Sequence, residues 1–133
     1  MKKTTLINST LSATIARLGH TDTLAIGDAG LPIPEGPQRV DLALREGIPP
    51  FVRTVETVLE EMTVEKALIN EESAEKSPET RAQLIAVLDK HGIPVESIPH
   101  STLKSLLPQT RAVVRTGEYT PFCNVILVAG VAF

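Results

Sequence analysis

The chain has 133 residues, a formal net charge of -3 and one cysteine, enough for one domain with its own core. That balance leaves no basic footprint for nucleic acid, no disulfide framework and no set of thiol ligands for a metal. Neither the Met1-Lys2-Lys3-Thr4-Thr5-Leu6 start nor any later segment reads as a signal peptide or a membrane span, so a reduced cytoplasmic setting is expected.

With no tryptophan, the core must be built from Leu, Val, Ile and Ala, and their spacing marks the elements in order. Asn8 or Ser9 caps a predicted helix with Leu11, Ile15 and Leu18 on one face, which Gly19 is placed to end. Leu24-Ala25-Ile26 reads as a buried strand and Gln38 to Leu44 as a second short one. Pro50 to Met62 is a predicted helix whose apolar face carries Phe51, Val55, Val58, Leu59 and Met62, and Val64 to Asn70 is a strand. Asn70 to Glu79, rich in Glu, Lys and Ser, reads as a solvated connection without chemistry.

Pro78 opens a further predicted helix that continues through Leu84, Val87, Leu88 and His91 to Gly92. Ile93 to Ile98 is a strand, and a short helix around Thr102 to Leu107 stops before Pro108. Arg111 to Thr116 and Val125 to Val131 are two β-rich runs. This alternation predicts one α/β domain over 1–133, a three-layer α/β/α arrangement around a largely parallel mixed sheet. The run from Val125 to Phe133 is apolar to its last residue and must be covered by its own core or by another chain.

Two polar residues bracket the first strand. Asp28 follows it in a Gly/Pro turn, where ligands gather in α/β sheets; the same carboxylate would also serve as a turn cap. His20 precedes it, just past the predicted end of the first helix, where helix carbonyls and Asp22 would favour the imidazolium. Such a ring suits a general acid, and it equally suits a histidine that only bonds the last helical carbonyls. His91, beside Gly92, has the same simple structural role open to it.

The glycines fit neither dinucleotide nor P-loop spacing, and His20, His91 and His100 are scattered without metal-ligand spacing. No metal or cofactor is expected. Cys123, between Phe122 and an apolar run, reads as a small buried hydrophobe rather than a nucleophile.

Several separated motifs then occur together: Leu6-Ile7-Asn8-Ser9, Leu18-Gly19-His20-Thr21-Asp22, Asp28-Ala29-Gly30-Leu31-Pro32-Ile33-Pro34, Asp41-Leu42-Ala43-Leu44, Glu60-Glu61-Met62, and Arg115-Thr116-Gly117-Glu118 through Asn124. In this order, and from end to end, they make the chain resemble the RbsD/FucU family, on its ribose pyranase branch. The resemblance implies a cofactor-free and metal-free isomerase that interconverts ring forms of D-ribose, assembled as a decamer of two stacked pentamers. It implies His20 as the acid/base residue, Asp28 and His100 as sugar contacts, and Phe122-Cys123-Asn124 where the family binds sugar through Tyr-Ala-Asn. Only Asn124 of that triplet is retained, so a mutarotase for another sugar such as fucose, or a non-catalytic sugar-binding subunit, stands as an alternative.

The implied chemistry needs few groups. A proton reaches the ring oxygen of a cyclic hemiacetal as another leaves the anomeric hydroxyl, and reclosure through a different hydroxyl changes the ring size. The ring assembly implies pockets between subunits that bring His20 of one chain to the Phe122 segment of another.

Overall fold

The computed structural model describes residues 1–133. Its strands are β1 Thr23–Gly27, β2 Gln38–Asp41, β3 Val64–Asn70, β4 Val95–Ile98, β5 Ala112–Arg115 and β6 Val125–Ala129. The helices are α1 Ser9–Ala16, α2 Phe51–Leu59, α3 Ser73–Lys76, α4 Pro78–Lys90 and α5 His100–Leu106, the last running into a 3-10 turn at Leu107–Gln109.

One six-stranded sheet runs in the order β2-β5-β1-β6-β3-β4. β2 with β5, β5 with β1 and β3 with β4 pair in parallel, whereas β6 is antiparallel to both neighbours. The central strands carry unbroken apolar runs because helices cover both of their faces. Leu24 and Ile26 of β1 pack with Leu11 of α1, Val55 of α2 and Leu88 of α4, while Ala25 between them packs with Leu103 of α5 and with Leu107. This is the three-layer α/β/α arrangement the alternation predicted.

Several boundaries moved for identifiable reasons. Asn8 caps α1 by accepting from the Leu11 N–H at 2.9 Å. That helix ends at Ala16 rather than at Gly19, because Asp22 Oδ2 captures the Gly19 N–H at 2.8 Å and Thr21 N–H donates to Ala129 O at 2.9 Å. The chain is thereby drawn into the sheet before a further helical turn can form. α5 begins at His100, two residues earlier than its apolar pattern suggested. The segment after Asn70 is no solvated loop: Ser73 and Ser77 are buried, and α3 forms within it. At the other end of α4, Gly92 adopts a φ of +67° and Ile93 N–H returns to Leu88 O, the helix stop its position predicted.

Reversal of β6 has the largest consequence for function. Val125 stands opposite both Ile26 of β1 and Ile69 of β3, so residues just before β6 lie beside the carboxyl ends of those strands. No helix is long and apolar enough to cross a membrane.

Candidate active site

At this carboxyl edge the chain opens a cleft of about 540 Å³, in the ordinary size range for small ligands. Asp28, His100, Arg115, Glu118, Tyr119 and Phe122 line it. Asp28 follows β1, His100 opens α5 after β4, and Arg115, Glu118, Tyr119 and Phe122 come from the end of β5 and the connection to β6; the sheet brings the three segments together.

Asp28 closes its own turn by accepting the Gly30 N–H at Oδ1, 3.0 Å away, and still faces the cleft. The turn-capping reading of this carboxylate holds, and the same side chain stays open to the cleft. Burial pushes its pKa above the ordinary carboxylate value, against the opposing pull of the Gly30 N–H, the Asn124 side chain, the Cys123 N–H and His100.

Asn124 accepts the Asp28 N–H at Oδ1, 3.1 Å away, and its Nδ2 is buried without a protein partner at hydrogen-bonding distance. The Asp28 carboxylate is the acceptor this donor faces, which is how the Asn124 side chain opposes the rise in the Asp28 pKa. Gly27 makes room for this amide: a Cβ there would come within 2.7 Å of Asn124 Oδ1 and would overlap Leu31.

His100 is the first residue of α5, and both carboxylate oxygens of Glu72 accept its main-chain N–H, at 2.9 and 3.0 Å. Pro99 offers that helix no side-chain cap, so Glu72 supplies one from the segment after β3. The His100 N–H is also the main reason the Glu72 carboxyl lies below its ordinary pKa. The His100 ring bonds Asn70 Oδ1 through Nδ1 at 2.7 Å, and burial, aided by Lys104, holds its pKa below the ordinary imidazole value.

The triplet before β6 divides. Phe122 sits in the left-handed region at a φ of +59° and sets its ring edge-on to His100, with centroids 5.1 Å apart. Cys123 turns inward, joins the core, and has its thiol pushed up to about 12, chiefly by burial. It does not line the cleft and is the buried small hydrophobe its apolar neighbours predicted; its main-chain N–H faces the Asp28 carboxylate. Tyr119, which strand alternation would have turned away, shares the cleft with Phe122 because residues 117–124 form a turn rather than a strand. A phenol is therefore present near the position where the resemblance lost one.

His20 lies at the opposite edge of the sheet. The five residues of β1 separate it from Asp28, about 17 Å at the usual rise of a strand. It is four residues beyond α1 and bonds no helix carbonyl; its Nε2 instead meets Glu65 Oε2 at 2.9 Å. Asp22 is engaged elsewhere, and its pKa is lowered first by the Gly19 N–H and then by Arg111. Beside His20 a second groove is lined by Leu18, Met62 and the apolar end of the chain, where Val131 and Phe133 are exposed.

Sequence reasoning missed Asn70, Glu72, Arg115 and Glu118. Asn70 had a readable signal, a single amide ending the apolar run of β3. Glu118 stood in the Arg115-Thr116-Gly117-Glu118 motif, but nothing local pointed to its partner: its Oε1 takes the Phe51 N–H at the start of α2, 3.1 Å away and 67 positions earlier. Arg115 spans the cleft floor, donating from Nε to Ala29 O and from Nη1 to Asp41 Oδ2.

Against known proteins, the model of the RbsD / FucU transport protein family matches residues 1–132. The chain belongs to this family. Among RbsD/FucU relatives, D-ribose pyranases of Chloroflexus aggregans and Coprothermobacter proteolyticus are 57% and 55% identical, each over all of both chains. The structure of Bacillus subtilis RbsD complexed with D-ribose superposes with a TM-score of 0.94 at 41% identity, also covering both chains fully. Fucose mutarotase of Streptococcus pneumoniae shares the fold, with a TM-score of 0.83 at 19% identity over the whole of both chains.

Proposed function

We propose that this protein is a D-ribose pyranase, an intramolecular isomerase interconverting the pyranose and furanose forms of D-ribose, whose site is shared between copies of the chain. The observation that carries the activity is its end-to-end similarity to D-ribose pyranases, at 55% and 57% identity in two of them. The cleft suits a polyol: Asp28 accepts from hydroxyls, and His100 and Tyr119 add polar edges beside the apolar face of Phe122, while buried Asn124 holds the Asp28 main chain in place.

In this reading His20 of one copy delivers a proton to the ring oxygen of a sugar held in the cleft of another. The ring C–O bond breaks as the anomeric hydroxyl passes its proton to water to form the open aldehyde; a different hydroxyl then attacks that carbon, returning its proton to His20 while the carbonyl oxygen takes one from water, and the ring closes at the new size. Acid/base assistance of this kind contributes roughly 10²- to 10⁴-fold. Supporting the shared site, His20 and Asp28 stand at opposite edges of one chain, and apolar residues are exposed near both: Val131 and Phe133 by His20, and Leu44, Ile48 and Tyr119 on the cleft side. A closed ring of copies, two stacked pentamers in all, brings one edge to the other in every subunit. The same reading has the enzyme working in the cytoplasm, where the buried Cys123 stays a free thiol.

Complementation tests this. His20→Ala and Asp28→Asn should each abolish the acceleration of ribose ring exchange measured by NMR, and subunits of the two variants, mixed and reassembled, should recover part of it. A mixture that stays inactive, or an active monomer in sedimentation, overturns the shared site.

A further inference from the structure

Asn70 is the fully buried last residue of β3, and every polar atom of its side chain is engaged by a residue of the cleft. Nδ2 donates to Phe122 O at 2.9 Å, and Oδ1 stands 2.7 Å from His100 Nδ1. A main-chain carbonyl only accepts, so the amide nitrogen must face Phe122, which leaves the amide oxygen toward His100. An amide oxygen also only accepts. The hydrogen in that contact therefore belongs to His100 Nδ1, and a neutral ring so oriented carries its free lone pair on Nε2.

We propose that Asn70 is a positioning residue that locks His100 in the Nδ1–H form, so that Nε2 meets the sugar as a hydrogen-bond acceptor for one of its hydroxyls. This deepens the pyranase reading and rests on it for the identity of the ligand. The same amide ties the acceptor to its apolar neighbour, since Phe122 is held in its left-handed conformation by the bond to its carbonyl. Asn70 is itself immobilised: its main-chain oxygen takes hydrogen bonds from Ser73 Oγ at 2.6 Å and Arg81 Nη1 at 2.8 Å.

The groups that set the charge on His100 come from three directions. Lys104 on its own helix opposes a proton on the ring, while Glu72 after β3 and Asp28 after β1 favour one, and burial outweighs them. Neutral His100 accepts at Nε2; once protonated it can only donate there, and the sugar hydroxyl loses its partner. Sugar affinity should fall as pH drops through the lowered His100 pKa.

Long-range proton–nitrogen NMR correlation on the ¹⁵N-labelled protein reads the ring directly. The expected result is a His100 ring protonated at Nδ1 and bare at Nε2 at neutral pH. Asn70→Asp keeps an acceptor beside Nδ1 but adds a negative charge, so both the His100 titration and the acid limb of kcat/KM for ribose should move to higher pH together. A wild-type ring protonated at Nε2 overturns the proposal, and this result needs no variant to fold. So does an Asn70→Asp protein that loses thermal stability while the titration and the acid limb stay in place. A wild type with the Nδ1–H ring that fails to accelerate ribose exchange sinks the pyranase reading instead and leaves the ring assignment standing.

Discussion

Asp28 does two jobs that pull its carboxyl in opposite directions, and the balance has a measurable sign. It closes the turn after β1 and faces the cleft, where burial raises its pKa. A raised folded-state pKa means the folded protein binds that proton more tightly than the unfolded chain, so stability declines as pH rises through the window above the ordinary carboxylate value. Asp28→Asn keeps an oxygen for the Gly30 N–H and removes the buried charge. It is expected to melt at a higher temperature than wild type at pH 7, with the gap closing toward pH 3, while ribose exchange is lost; calorimetric scans across pH check it. Phe122→Tyr adds a hydroxyl beside His100 and Asp28, and if that hydroxyl reaches the sugar it should tighten ribose binding by about 1 kcal/mol, roughly five-fold. Titration calorimetry measures it, and unchanged affinity would mean that Tyr119 already serves in that place.

The elements matter through their ends. β1 and β3 deliver Asp28 and Asn70 at their carboxyl ends, and β6, running the other way, delivers Asn124 at its amino end. Gly27 sits at that junction, and Gly27→Ala should crowd Asn124 Oδ1 and Leu31 enough to weaken sugar binding more than tenfold in a protein that still folds; a tenfold rise in the ribose dissociation constant is the threshold to look for. α1 contributes no residue to the cleft and provides a contrast. Asn8→Ala removes its side-chain cap and should cost about 1 kcal/mol, a fall of roughly 3–5 °C in melting temperature, with ribose affinity untouched. Most of these elements were legible, because Leu, Val and Ile repeat at helical or strand spacing wherever a face is buried. α3 was not: its four residues carry no apolar period, and they are ordered by Ser73 and Arg81 bonding back to Asn70.

For the whole molecule, the length of β1 keeps His20 and the candidate cleft at opposite ends of the sheet. In the proposed shared site, exposed Val131 and Phe133 belong to the surface that another copy covers. Replacing Phe133 with Asp should therefore shift the assembly toward smaller species in analytical ultracentrifugation and lower ribose exchange in parallel, although this side chain touches no part of the cleft in its own chain. Loss of activity with an unchanged sedimentation profile would separate the two effects and refute the link.

By itself the sequence determined the alternation of helices and strands, the two-faced burial of the sheet and the placing of Asp28 after a strand, because each depends on neighbours within a few turns of chain. Tertiary structure alone decided that β6 runs backwards, that Tyr119 shares the cleft with Phe122, and that Asn70, Glu72 and Glu118 support its walls. These depend on partners tens of residues distant, such as Asn70 with Phe122 across 52 positions. Local periodicity reports which face of an element is buried; it carries no record of which strand end will lie beside which, and the chemistry of this protein is assembled at those ends.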